Sequence, residues 1–140
     1  MIQRLSVRVY YEDTDAGGFV YHSRYLAFAE RARTEVLRSM GLTHTRLVSE
    51  FGLMFVVHRA KMDYLRPARL DDLIEVATGP WTASGASVSV QHVFRVAERE
   101  IGRLQVGLAC VRAADGRPAR IPARWKAAFG EEDGASEPSG

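Results

Sequence analysis

Hydrophobic residues recur along this chain with two different periods, and each change of period marks a change of element. Leu5, Val7, Val9 and Tyr11 alternate with Ser6, Arg8 and Tyr10, a period of two that predicts a half-buried strand. Asp13 to Gly18 breaks the alternation with Asp, Thr and Gly, all turn formers. From Ser23 or Arg24 the period becomes helical. Tyr25, Phe28, Ala29, Ala32, Val36 and Met40 share one arc at 100° per residue, and Glu30, Arg31, Thr34, Glu35 and Arg38 form the opposite one. Ser23 is the expected N-cap and Gly41 the expected C-terminal glycine. The alanines at 29 and 32 suggest a helix lying close on a flat partner such as a sheet.

Alternation then returns. After a short helix or irregular link over 42–52, a second strand is expected with Val56, His58, Ala60, Met62 and Tyr64 on one face. Pro67 to Asp72 reads as a turn. A third strand carries Ile74, Val76 and Thr78 and ends near Gly79-Pro80. Val88, Val90, His92, Phe94 and Val96 mark the fourth, and Leu104, Val106, Leu108 and Cys110 the fifth. Short links between strands two to five predict an antiparallel meander. Pro122 to Phe129 reads as a short helix with proline at its first position. The pattern is that of an α+β domain, one long helix on a five-stranded antiparallel sheet. The expected domain spans residues 1–130. The acidic, small-residue stretch 131–140 is expected to be disordered. Such a sheet leaves an edge that another subunit can pair with.

Composition narrows the function classes. A chain of 140 residues with 46% hydrophobic and 26% charged content is long enough to bury a core. Its net charge of +2 is close to neutral and argues neither for nucleic acid nor for a membrane surface as the main partner. The single cysteine, Cys110, excludes an internal disulfide, makes a cysteine-based metal site a poor expectation, and reads as a small buried hydrophobe. The opening MIQRLSVRVYY lacks a signal peptide's apolar segment, and no apolar run approaches the ~20 residues that span a bilayer, so a cytoplasmic protein is expected.

The candidate chemistry sits where the first strand gives way to the helix. Asp13-Thr-Asp15-Ala-Gly17-Gly18 is too poor in hard ligands for calcium, since the last ligand position counted from Asp13 is Arg24. A phospho-aspartate motif fails because Gly17 stands where a hydroxyl is needed. Turn chemistry alone allows both aspartates a purely structural role, as Asx-turns and a cap. Yet Asp15, Tyr11 four residues before it, His22 seven after it and a helix N-terminus form an array suited to carbonyl chemistry. It contains a base or nucleophile, a proton donor, and N–H groups for an oxyanion.

The run Tyr11-Glu-Asp-Thr-Asp-Ala-Gly-Gly-Phe-Val-Tyr-His22, with Tyr25, Glu30-Arg-Ala-Arg-Thr-Glu35 and Tyr64-Leu-Arg-Pro-Ala-Arg-Leu-Asp-Asp72, resembles the 4-hydroxybenzoyl-CoA thioesterase branch of the hotdog fold. Within it the run is most similar to the Tol–Pal-associated, YbgC-type acyl-CoA thioesterases. The resemblance extends to about Phe129. It implies a helix wrapped by the sheet, protomers paired through sheet edges into a homodimer or homotetramer, and hydrolysis of an acyl-CoA thioester. Asp15 matches the family's catalytic carboxylate, and His22 and Tyr11 its accompanying residues. The backbone N–H near His22 matches the group that polarises the carbonyl. Gly18, Val20 and Tyr25 fall among the expected substrate-binding positions. No metal or organic cofactor is implied, and coenzyme A arrives as part of the substrate.

One departure matters. The basic cluster expected after Trp81 is replaced by Thr-Ala-Ser-Gly-Ala, which leaves Arg59, Lys61, Arg66 and Arg69 as candidate phosphate-binding cations. Arg59 and Lys61 are the first choice. Two other readings remain open at this stage: a non-catalytic acyl-CoA or lipid-binding module acting through a protein partner, and a hotdog enoyl-CoA hydratase. A protein partner linked to Tol–Pal or lipid metabolism is a further implication of the resemblance.

Overall fold

The computed structural model describes residues 2–129, so the expectation for 131–140 lies outside the described residues. The period-two segments become β1 (Gln3–Arg8), β2 (Leu53–Tyr64), β3 (Leu73–Ser84), β4 (Ser87–Val96) and β5 (Arg99–Arg112). They form one antiparallel sheet in the order β1-β3-β4-β5-β2. The expected meander is therefore only three strands long, β3-β4-β5. The long excursion between β1 and β3 lets β2 cross to the far edge and pair with β5. The helical segments are α1 (Arg24–Ser39), a single turn α2 (His44–Arg46) followed by a π-helical turn over Leu47–Phe51, and α3 (Ala123–Ala128).

Helix α1 lies on the sheet with the rotation its sequence predicts. Tyr25, Phe28, Ala29, Ala32 and Val36 are buried. They meet a layer in which Ile74, Val76, Val88, Val90, Phe94, Leu104, Val106, Leu108 and Cys110 all point inward. Cys110 is fully buried, as expected of a small hydrophobe, and burial pushes its thiol up. The helix ends in a Schellman motif. Leu42 N–H bonds the Leu37 carbonyl at 2.8 Å and Gly41 N–H the Arg38 carbonyl at 2.9 Å, which requires the positive φ of 78° that Gly41 adopts. Ser23 does not cap the other end through its side chain; it is already helical, with φ −76° and ψ −13°.

Two strand details differ from the simple alternation. A bulge at His58 shifts the β2–β5 register between Val57 and Arg59. Val56 and Ala60 consequently face opposite sides of the sheet, and His58 is exposed. Strand β3 does not stop at Gly79-Pro80; it continues to Ser84 past a register shift between Thr78 and Trp81, where proline cannot donate to the ladder. This extension lets Trp81 stack on Phe129 with ring centroids 4.8 Å apart, tying the end of α3 to the sheet. Pro122 is the N-cap of α3 rather than its first residue.

Under the middle of α1 the core is polar. Arg33 is buried and its Nη1 lies 3.1 Å from His92 Nε2, while His92 Nδ1 lies 3.0 Å from Thr78 Oγ1. A guanidinium only donates, so Nε2 must accept, and Nδ1 carries the proton given to Thr78. Burial, and then the Arg33 charge, lower the His92 pKa to about 3, so the ring stays neutral.

Two expectations follow from this packing. Ala32→Leu should overfill the helix–sheet contact and cost about 1–3 kcal/mol, and Ala27→Leu, at a half-buried site, should cost less; urea midpoints give the order. His92 titrates at about 3 folded but near its ordinary value unfolded. The unfolded chain therefore binds the extra proton, and stability is lost as pH falls below about 6.5, by up to ~1.4 kcal/mol per unit. His92→Gln should flatten the slope of stability against pH between 4 and 6.

Candidate active site

The segment between β1 and α1 is a loop closed at its base by Asp13. This carboxylate is buried in a short 3-10 turn, Tyr11–Asp13. Its Oδ1 accepts from Arg24 Nε at 2.9 Å and Nη2 at 2.8 Å, and its Oδ2 accepts the Tyr10 N–H at 2.9 Å. Its backbone carbonyl accepts the Tyr21 N–H at 2.9 Å. Arg24 is the first residue of α1, where the helix dipole disfavours a cation. The Asp13 carboxylate offsets that, and in doing so fixes the helix start against the end of the strand.

Within the closed loop, Asp15 adopts a tight turn. Its N–H bonds the Phe19 carbonyl at 2.8 Å, its carbonyl accepts Gly18 N–H at 3.0 Å, and Thr14 bridges Val20. Gly18 has φ +85°, a conformation that side chains strain to reach. Asp15 Oδ1 accepts from Gly17 N–H at 2.9 Å and Phe19 N–H at 3.2 Å. Oδ2 has no partner among the described residues, and the side chain is exposed. The turn thus aims one carboxylate oxygen outward and occupies the other. The Asx-turn reading holds for Asp15 Oδ1, and Oδ2 is left without a partner among the described residues.

The 65–72 link grips the loop from the other side. Val20 N–H donates to Ala68 O at 2.8 Å and Leu70 N–H to Gly18 O at 3.3 Å. The Arg69 guanidinium sits 4.7 Å over the Phe19 ring. Tyr25, buried beneath, is held by the Ala68 backbone, and burial raises its hydroxyl pKa. At the helix entrance Arg24 N–H bonds the Tyr21 carbonyl at 2.9 Å, and the Tyr64 hydroxyl donates to the His22 carbonyl at 3.0 Å. The N–H groups of His22 and Ser23 have no protein acceptor among the described residues. Two free donors at a helix start are suited to an oxyanion.

The structure distributes the sequence-derived candidates unevenly. Asp15, Gly18 and the His22 backbone belong to this one loop and helix entrance. The His22 ring is exposed and packs 4.4 Å from Tyr21, and Tyr11 is exposed at the loop's rim. Neither side chain hydrogen-bonds Asp15. Val20 and Tyr25 are buried, supporting the loop from below. Arg59 and Lys61 line a cavity of about 490 Å³ on the outer sheet face with Gln91 and Gln105, on the side away from α1. Of the four candidate cations, Arg69 is the one beside the Asp15 loop. Two contacts escaped the sequence reading. Arg24 at a helix N-terminus was a signal that a carboxylate must be near; the Tyr64–His22 bond has no local signal.

The sequence pattern of the thioesterase-like superfamily matches residues 9–129. The chain belongs to that superfamily. This hotdog thioesterase is 45% identical over 123 residues to the acyl-CoA thioesterase YbgC of Haemophilus influenzae, covering 88% of this chain and 90% of that protein. It is 41% identical over 127 residues to the acyl-CoA thioester hydrolase YbgC of Escherichia coli, covering 90% and 94%. A probable thioesterase from Bartonella henselae has the same fold, with a TM-score of 0.82 at 35% identity, covering 87% of this chain and 100% of that one.

In this thioesterase the two aspartates of the loop have separable duties. Asp13→Ala strands the Arg24 guanidinium and the Tyr10 N–H, and should cost about 2–3 kcal/mol in denaturant midpoints. Asp15→Ala removes only exposed bonds and should cost less.

Proposed function

We propose that this thioesterase hydrolyses an acyl-CoA thioester to a free acid and coenzyme A at the Asp15 loop. The observation that carries the reading is a single loop that holds an Asp15 oxygen without a partner among the described residues and leads into a helix entrance whose first N–H groups likewise have none there. The N–H groups of His22 and Ser23 would receive the thioester carbonyl oxygen and stabilise negative charge as it develops there. Asp15 Oδ2 would either add to the carbonyl carbon, giving an anhydride that water opens, or take a proton from a water that adds directly. In each route the tetrahedral oxyanion collapses and the C–S bond breaks. Coenzyme A leaves as a thiolate and takes up a proton. The exposed His22 ring and Tyr11 hydroxyl at the rim are suited to orient water or the acyl group. Arg69, which sits over the Phe19 ring of the loop, and Arg66 on the same link are suited to the coenzyme A phosphates.

The assembly reading rests on β2. Its free edge is twelve residues long, with Val56 and Val57 exposed, and pairing with the same strand of a second copy would satisfy it. We therefore propose a homodimer or a pair of dimers, with Arg59 and Lys61 beside the joined edges. A coenzyme A substrate supports a cytoplasmic location. A protein partner linked to Tol–Pal or lipid metabolism is supported by the resemblance alone.

Thiol release measured across a panel of acyl-CoA substrates tests the reaction and separates it from hydration, which frees no thiol. Asp15→Asn should lower turnover at least ~10²-fold with little change in affinity for a non-hydrolysable analogue. Tight binding without thiol release in the unmodified protein would point to a binding module. Light scattering at micromolar concentration should give a dimer or larger; an active monomer would contradict the β2 assembly.

A further inference from the structure

We propose that Tyr64 is a positioning residue for a two-donor oxyanion site, a role that rests on the thioesterase reading above. The two free N–H groups belong to successive peptide planes. The plane between Tyr21 and His22 carries the His22 N–H, and its carbonyl is held by the Arg24 N–H at 2.9 Å. The plane between His22 and Ser23 carries the Ser23 N–H, and its carbonyl is held by the Tyr64 hydroxyl at 3.0 Å. A trans peptide is planar with its C=O and N–H pointing in opposite directions, so holding the carbonyl aims the N–H. The first plane is fixed by the helix itself. The second is fixed from outside, by a side chain 42 residues further along.

Tyr64 is built for that reach. It is the last residue of β2, paired with Gly102 of β5. Its ring meets the Tyr25 ring edge-on, with centroids 5.6 Å apart, and Tyr25 is buried in the core. The hydroxyl is thus carried on a ring with a fixed base, at the mouth of the site. Its hydrogen bond into the His22 carbonyl also polarises that peptide and makes the Ser23 N–H a stronger donor. Without it the peptide is free to rock about its flanking bonds, and the second donor is only partly aimed at the transition state.

The test is Tyr64→Phe, which keeps the ring and its contact with Tyr25 and removes only the hydroxyl. kcat for an acyl-CoA that the unmodified protein turns over should fall about 10-fold, less than the loss of a whole oxyanion donor. KM and the thermal midpoint should stay unchanged. The loss should shrink when the same acyl-CoA is supplied as its dithioester, because a thiocarbonyl sulfur accepts hydrogen bonds poorly. An unchanged kcat overturns the proposal. So does a loss confined to KM or stability, or an equal loss on oxygen and sulfur substrates. A substrate panel that the unmodified protein fails to hydrolyse overturns the thioesterase reading, and this role with it. An active unmodified protein with an indifferent Tyr64→Phe variant overturns the Tyr64 role alone.

Discussion

The geometry of the site hangs on one buried carboxylate. Asp13 holds the first side chain of α1, the N–H of Tyr10 at the end of the first strand segment, and, through its carbonyl, the N–H of Tyr21. Those three partners come from the start of the loop, its end and the first residue of the helix. With them joined, residues 14–20 form a closed loop whose own bonds leave little freedom. A carboxylate placed on such a loop is preorganised, because its direction is set before any substrate arrives. The exposed Asp15 inherits its orientation from the concealed Asp13.

The helix that supplies the free N–H groups must also be fixed, and the core does this in two ways. Ala29 and Ala32 are buried with no bulk between helix and sheet, so the close approach sets the height of α1 above the strands. The Arg33–His92–Thr78 chain then fixes its register along the sheet, since a buried guanidinium tolerates no slip away from its acceptor. Asp13 at one end and this polar contact at the middle hold the helix over a surface that is otherwise apolar and non-directional.

Local order was legible in the sequence wherever it was periodic. The arc of Tyr25, Phe28, Ala29, Ala32 and Val36 gave the helix and its buried side, and Gly41 marked its end, because 3.6-residue repetition and a left-handed cap are written in neighbouring residues. Long-range choices were not legible. Nothing near β2 says that it pairs with β5 rather than β3. The bulge at His58 puts Val56 and Ala60 on opposite faces without leaving a trace in the alternation. The Asp15 loop could be picked out from its residue types and its resemblance, but Tyr64 could not be given a duty, since its partner is a backbone carbonyl far away in sequence. Arg33 falls outside both arcs of the helix pattern, and only the His92 acceptor opposite explains its burial.

The central claim is that the thioester is cleaved between Asp15 and the start of α1. A crystal structure of the Asp15→Asn variant with an uncleaved acyl-CoA bound tests it most directly. The account predicts the thioester carbonyl oxygen within about 3 Å of the backbone nitrogen of His22 or Ser23, with the carbonyl carbon facing the side chain at position 15. A thioester lying elsewhere, such as in the outer-face cavity beside Arg59 and Lys61, would contradict it.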